Sequence, residues 1–222
     1  MKRPVYLLFL TLLTLSSCVG YLPQSVDVPL ISKKNDLRID AGVTSALSAG
    51  TATISYGLTE RIAVQAYGNL GANSRNYYQG AIGYYKNLKN RSIMELYGGV
   101  GNGNANYKNH DLFSNTSGAY QLYFAQFNYG KLGGDLSIWD LGLGLKTGLL
   151  HTNLVREDLS VQLETISTEL IGDDFLVEPM LFVRAGGEHV KFNLKLSGGY
   201  IFKYSNIAYF PLNIGLGLNY RL

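Results

Sequence analysis

The chain has 222 residues, a formal net charge of +3 and one cysteine. A single cysteine excludes internal disulfides, and a weak positive charge without a basic run argues against a nucleic-acid partner. Glycine (26) and tyrosine (17) are abundant while charged residues make up only 16%, a mix that favours β-strands over a helical enzyme. The length is that of a single domain, and no motif predicts a cofactor or a metal.

The first segment has the layout of an exported leader. Lys2 and Arg3 precede an apolar run from Val5 to Leu15, which is too short to span a bilayer as a helix. These features predict a lipoprotein signal peptide over residues 1–17. Leu15-Ser16-Ser17-Cys18 resembles a bacterial lipobox, which implies that Cys18 carries a diacylglycerol and a further acyl chain such as palmitate. An ordinary signal peptide with a chance cysteine remains the alternative.

Residues 18–35 follow as a predicted lipidated tether that contains Pro23 and Pro29. An acyl anchor with several chains holds a protein stably at a membrane, whereas a single chain binds only marginally. No acidic residue follows Cys18 closely, and this pattern favours an anchor in the leaflet that faces the periplasm.

Beyond the tether, alternating apolar and polar residues predict β-strands. In Val190–Ser197, for example, the apolar residues share one face and the polar residues the other. About ten such segments divide a domain over 36–222, and most have the ~9–11 residues that a tilted strand needs to cross a bilayer. The predicted strands are 36–47, 51–58, 61–71, 77–87, 92–103, 118–129, 136–149, 176–186, 189–201 and 211–222.

The segments favour an all-β, transmembrane, antiparallel up-and-down β-barrel of about ten strands over a soluble barrel with an apolar interior. Connections alternate between short turns and longer loops, as in outer-membrane barrels. The chain also stops within its last strand. Gly217, Tyr220 and Leu222 resemble the C-terminal signal that the barrel-assembly machinery reads. Aromatic residues near strand ends fit interfacial girdles: Tyr77, Tyr78, Tyr84, Tyr129 and Trp139.

Three stretches carry a family resemblance: "PLISKKNDLRIDAG" (29–42), "ISYGLTERIAVQAYG" (54–68) and "FLVEPMLFVRAGGEHVKFNLKLSGGY" (175–200). They look like the small outer-membrane β-barrel lipoproteins of Bacteroidota. The resemblance implies a location in the outer membrane with periplasmic termini. It also implies outer-membrane lipid, the barrel-assembly machinery and lipoprotein-processing enzymes as partners, and it brings no catalytic signature.

The strand alternation predicts a polar network inside the barrel. Because an isolated buried charge costs several kcal/mol, acids and bases inside must be paired or hydrated. About ten strands leave little more than room for side chains, so a filled lumen is favoured over a narrow pore. The predicted lumen set is Arg38, Asp40, Gln65, Glu95, Asp140, Lys146, Glu178, Arg184, Lys191, Lys195 and Arg221.

The predicted function is a non-enzymatic structural or binding role through outer loops at 104–117 and 150–175. The acidic 150–175 connection allows three interpretations: a solvated loop, a short amphipathic helix or an extended hairpin. A hydrolase at the outer rim is the alternative, because His110 or His151 could meet a carboxylate such as Asp173 or Asp174. A narrow pore and a soluble lipid-binding lipoprotein are further alternatives.

Overall fold

A computed structural model describes residues 27–44, 49–71, 76–109, 114–134, 138–159, 165–202 and 212–222. Within these residues, eleven strands form one sheet: β1 Leu37–Thr44, β2 Ala49–Gly57, β3 Ile62–Leu70, β4 Asn76–Asn87, β5 Ser92–Asn109, β6 Ser114–Lys131, β7 Trp139–Leu159, β8 Thr165–Gly186, β9 Val190–Gly198, β10 Tyr200–Phe202 and β11 Leu212–Arg221. A short 3-10 helix spans Lys89–Arg91 between β4 and β5. No helix among the described residues is both long and apolar enough to cross a membrane.

The sheet closes on itself as an antiparallel barrel. Consecutive strands from β1 to β9 pair with each other, β11 pairs with β9, and β1 pairs with β11 from Arg38 opposite Arg221 to Thr44 opposite Gly215. Strands β9 and β10 lie in line, and both pair with β8, so the wall has ten strand positions. This architecture confirms the predicted all-β, ten-stranded antiparallel barrel.

The two ends of the barrel differ. One end, here called the turn end, carries the short connections 58–61, 88–91 and 187–189, together with Leu37 and Leu222. The amide of Leu222 donates to the carbonyl of Leu37 over 3.0 Å there. The opposite end is called the hairpin end. The seam between the first and last strands is therefore hydrogen-bonded down to the turn end.

The outer face of the wall is apolar. Phe192 is 54% exposed and Leu218 is 56% exposed, whereas Lys195, on the opposite face of β9, is 7% exposed. A soluble barrel that binds an apolar ligand needs the reverse arrangement, with its apolar face inward. The outer apolar belt includes Ile54, Ile82, Leu96, Val100, Leu141, Leu149, Leu181, Phe192, Leu194, Leu196, Leu216 and Leu218.

Strands β5 to β8 are longer than the sequence predicts. Residues 104–109 of β5 pair with 114–119 of β6, and 150–159 of β7 pair with 165–174 of β8. These residues form an extended four-stranded sheet at the hairpin end, called here the upper wall. The expectation of loops at 104–117 and 150–175 is therefore wrong, and the extended hairpin is the correct interpretation of the second. Polar outward residues such as His151 and Asn153 interrupt the apolar alternation by which the other strands were recognised.

Candidate functional site: an occupied lumen

A short chain segment, Asp27–Ile31, lies inside the barrel. Val28, Leu30 and Ile31 have no exposed surface, and Asp27 is 2% exposed. The segment touches side chains from strands on all sides of the wall, and the chain then leaves the lumen at the turn end before β1 begins. It is called here the internal segment. From the sequence, these residues are predicted to belong to the lipidated tether of residues 18–35.

Side chains of the wall hold the main chain of the internal segment. Gln65 and Gln126 donate to the carbonyl of Asp27 over 3.1 and 2.8 Å. Arg184 donates to the carbonyl of Val28 over 2.6 Å, and Arg38 to that of Leu30 over 2.8 Å. The amide of Ile31 donates to Glu95 Oε1 over 2.7 Å. Five strands thus supply polar groups to consecutive peptide units, which would otherwise be buried at a cost.

The carboxylate of Asp27 joins a buried ion-pair network. Lys195 Nζ lies 2.9 Å from Asp27 Oδ1 and 2.7 Å from Asp40 Oδ1. Arg184 Nη2 lies 3.6 Å from Asp27 and 4.0 Å from Asp40. Asn193 completes the group by donating to Asp40 Oδ2 over 2.5 Å. Two cations therefore face two anions, and one of the anions belongs to the internal segment.

Apolar side chains of the internal segment fill two small pockets. Val28 and Leu30 pack with Ile93, Met180 and Phe182. Ile31 packs in a second cluster against the wall residues Ala63, Tyr85 and Tyr97.

The backbone of Leu30 is unusual because its φ is +57°, in the left-handed region that a residue with a side chain rarely adopts. Such a conformation costs of order 1–3 kcal/mol and persists only where the surroundings impose it. The contacts of Leu30 with Arg38 and the first pocket provide those surroundings.

On the hairpin side of the internal segment, the lumen is closed by a second layer. Lys146 and Glu178 form a fully buried ion pair with a 2.9 Å separation, and Lys146 also lies 5.4 Å from the ring centroid of Phe124. Above them, the rings of Tyr77 and Tyr120 stack with centroids 5.9 Å apart. Tyr77 is fully buried, so its predicted place in an outer aromatic girdle is wrong. The inward register of β4 puts this residue in the lumen, while Tyr78, Tyr84, Tyr129 and Trp139 are exposed on the outside.

Glycines make room for this aromatic layer. A Cβ atom at Gly101 would lie 2.1 Å from the hydroxyl oxygen of Tyr77, and one at Gly103 would lie 2.3 Å from Cζ of Tyr120. Both distances are far below van der Waals contact. In this part of the lumen, glycines on one strand leave the space that tyrosine rings from the neighbouring strands fill.

At the turn end, Asp36 gathers a third polar group. Arg221 Nη2 lies 3.0 Å from Asp36 Oδ2 and also donates to the hydroxyl of Ser32, while Arg38 Nε lies 3.5 Å from Asp36 Oδ1. Burial by itself would raise the pKa of the Asp36 carboxyl. The charges of Arg38 and Arg221 and the hydrogen bonds from Ser32 outweigh it and hold the pKa below its usual value.

An open cavity of about 880 Å³ lies outside this group at the turn end. Its lining combines charged side chains, among them Arg91, Asp140 and Lys191, with apolar ones such as Leu88 and Ile138. Lys191 Nζ lies 2.6 Å from Asp140 Oδ1 across it. The cavity, called here the vestibule, is continuous with the place where Ser32 leaves the lumen.

The predicted lumen residues all lie on the inner face. Glu178 pairs with Lys146, and Arg184 approaches Asp27 and Asp40. Asp140 and Arg221 lie at the turn end, and Glu95 accepts from Asn128 over 2.9 Å. Of the C-terminal residues, Tyr220 and Leu222 face outward, and Gly217 packs closely against the carbonyl of Ala41 across the seam. Residues 1–17 and Cys18 lie outside the described residues.

The two histidines among the described residues, His151 and His189, have different surroundings. His151 Nδ1 lies 2.7 Å from Asp173 Oδ1, on the outer face of the upper wall. Both side chains are open to solvent, and Asp174 points inward, away from them. His189, in a turn, contacts the carbonyl of Arg221 over 3.1 Å. His110 lies outside the described residues, which contain no group of three or more candidate metal ligands.

Sequence reasoning missed the internal segment. Its five residues show no periodicity, and Pro29 in their middle resembles a linker residue. The signal that could have found it is chemical: Gln65, Gln126 and Arg184 are inward-facing donors, and each donates to a carbonyl group of this segment. An occupant rich in carbonyl groups satisfies them.

A polar, filled lumen inside an apolar outer surface defines an outer-membrane-type β-barrel. The outer membrane protease OmpT of Escherichia coli has a similar fold: the TM-score is 0.59 at 9% sequence identity, over 85% of this chain and 94% of OmpT. The N-terminal β-barrel domain of Pseudomonas aeruginosa OprF aligns with a TM-score of 0.35 at 10% identity, over 85% of this chain and 98% of that domain. No protein-family model matches the chain, and no curated protein matches it.

Proposed function

We propose that this protein is an outer-membrane lipoprotein with a closed barrel and a non-enzymatic structural or binding role. The observation that carries the proposal is the combination of an occupied lumen with an apolar outer belt. A barrel of this kind is held by lipid on the outside and filled inside, which favours a structural or binding role over transport or a buried reaction. The upper wall is then the surface that it offers to partners.

The orientation follows from the asymmetry of the two ends. Short turns of outer-membrane barrels face the periplasm and longer hairpins face outward. The turn end, which also holds Leu37 and Leu222, is therefore assigned to the periplasm. Cys18 precedes Asp27 by nine residues, and a chain of that length reaches at most ~30 Å. That reach lets an acylated Cys18 meet a lipid leaflet while Asp27 stays in the lumen.

Site-directed labelling tests the membrane location. In a background with Cys18→Ser, single variants Phe192→Cys and Leu194→Cys are compared with Lys195→Cys on the same strand. A lipid-phase thiol probe in native outer membranes is expected to label positions 192 and 194 and to spare 195. Labelling of all three positions alike, or of 195 alone, contradicts the proposal.

Planar-bilayer recording tests the closed lumen. The purified wild-type barrel is expected to insert without conductance steps, because the internal segment and the Lys146–Glu178 layer both cross the lumen. Regular single-channel steps from the wild-type protein would favour the narrow pore.

A rim hydrolase is the second candidate, supported by the contact between His151 and Asp173. A carboxylate that orients an imidazole is the arrangement that general-base hydrolysis uses. This pair faces outward from the wall, away from the barrel mouth. Hydrolysis of a fluorogenic peptide mixture that is lost in His151→Ala and kept in His189→Ala would establish this candidate. No hydrolysis that depends on His151 is the expected result.

A further inference from the structure

We infer that the turn-end half of the lumen is a binding site for an extended peptide, which the protein's own Asp27–Ile31 occupies. This inference goes beyond the proposed role of the upper wall. The site is inside the barrel, and its ligand class is a short peptide with a carboxylate followed by two apolar residues.

The contacts that hold the internal segment are directed at its main chain. Arg184, Arg38, Gln65 and Gln126 all donate to main-chain carbonyl groups, and Glu95 accepts from the amide of Ile31. Side chains that capture successive peptide units recognise a peptide as such. The wall therefore binds the segment through side chains, as a protein binds a peptide ligand. The segment is not a strand of the sheet.

The site also discriminates between side chains of the bound peptide. Lys195 and Arg184 select a carboxylate at position 27, because two cations lie within 3.6 Å of it. The pocket of Ile93, Met180 and Phe182 accepts the apolar groups of Val28 and Leu30. The site therefore selects a peptide that has an acidic residue at one end and apolar residues after it.

A peptide has a route to the site from the turn end. The vestibule opens at the turn end, where Ser32 leaves the lumen, and Arg38 lines this cavity while holding Leu30. The left-handed backbone of Leu30 shows that the site imposes a conformation on its occupant. A peptide from another chain could enter by the same opening once the internal segment is displaced.

Covalent linkage explains why the protein's own segment occupies the site. A ligand joined by a short linker has an effective concentration in the millimolar range. A free peptide of equal affinity therefore competes poorly with it. Exchange requires that the internal segment be weakened or withdrawn.

The test uses the full-length chain in detergent. The double variant Val28→Asp/Leu30→Asp places two carboxylates where the wall offers apolar surface, which expels the segment. A labelled, acetyl-capped peptide with the sequence of residues 27–34, DVPLISKK, is then titrated and followed by fluorescence anisotropy. The matched controls are a peptide with Lys in the place of Asp27 and a peptide with the two aspartate substitutions.

The variant is expected to bind the native peptide at least ~10-fold more tightly than either control peptide and than the wild-type protein does. A folded variant that binds no peptide, or that binds all three alike, overturns the inference. Folding is judged by the heat-modifiable electrophoretic mobility of the barrel. If the variant does not fold alone, refolding with the native peptide decides: rescue by that peptide only supports the inference, and failure to rescue overturns it.

Discussion

Breaking the buried pair of Lys146 and Glu178 is expected to destabilise the barrel strongly. Both side chains have no exposed surface, and their charged atoms lie 2.9 Å apart. Glu178→Gln keeps the shape of the side chain but leaves the ammonium group of Lys146 without its counter-charge. Removing one partner of a buried pair typically costs ~3–5 kcal/mol, because a desolvated charge remains. We expect the free energy of unfolding to fall by that amount.

Replacing both partners is expected to restore most of this loss. Lys146→Met combined with Glu178→Gln removes both charges, and buried pairs replaced by neutral residues are often close to neutral in stability. The free energy of unfolding of the double variant should therefore lie within about 1–2 kcal/mol of the wild-type value. A double-mutant cycle measures this difference directly.

Arg156 and Asp158 provide the matched control in the upper wall. Their separation is 2.8 Å, but the two side chains are 38% and 33% exposed. Pairs in contact with water contribute about 0–1 kcal/mol, so Asp158→Asn should have little effect.

Urea unfolding in detergent or lipid vesicles measures all these variants through the single tryptophan, Trp139, which lies exposed on the outer face. If Glu178→Gln and Asp158→Asn lower stability equally, the reasoning from desolvation is refuted.

Two further predictions concern the packing and the pH dependence of the barrel. Gly101→Ala should lower the free energy of unfolding by ~1–3 kcal/mol, because the new Cβ overlaps Tyr77. Gly98→Ala, whose Cβ has no atom within 4 Å, should leave it nearly unchanged in the same urea assay, and equal effects would contradict the packing argument. Because the pKa of Asp36 is held below its usual value, its stabilisation should be complete above the unfolded-state pKa of about 3.9 and lost as the pH falls further. Asp36→Asn should remove this part of the acid dependence, measured as unfolding free energy between about pH 5 and pH 2, and an unchanged pH profile would contradict it.

The alternation of side chains predicts most of the fold because the membrane-spanning wall has a different solvent on each face. In β9 and β11, every second residue must be apolar, and both strands were predicted to within three residues of their observed ends. In the upper wall, the outer face carries polar residues such as His151 and Asn153 on β7, while the inner face mixes polar residues with apolar ones such as Leu150 and Leu154. The period of two disappears there, although the strands continue.

The candidate site was predictable only in part, for a similar physical reason. Inward positions such as Lys195 and Arg184 follow from the register of their own strands. Their partners do not, because a closed barrel brings together residues far apart in sequence: Lys195 and Asp27 are separated by 168 positions. The internal segment is fixed entirely by such distant contacts, so its five residues carry no local pattern.

The contacts between lumen glycines and tyrosines constrain how the sequence can change in evolution. Gly101 and Gly103 have no room for a side chain while Tyr77 and Tyr120 occupy the lumen. A larger residue at either glycine is tolerated only together with a smaller residue at the facing tyrosine. In homologues, each glycine and its facing tyrosine should therefore change together. The two positions should co-vary in a sequence alignment even where the overall identity is low.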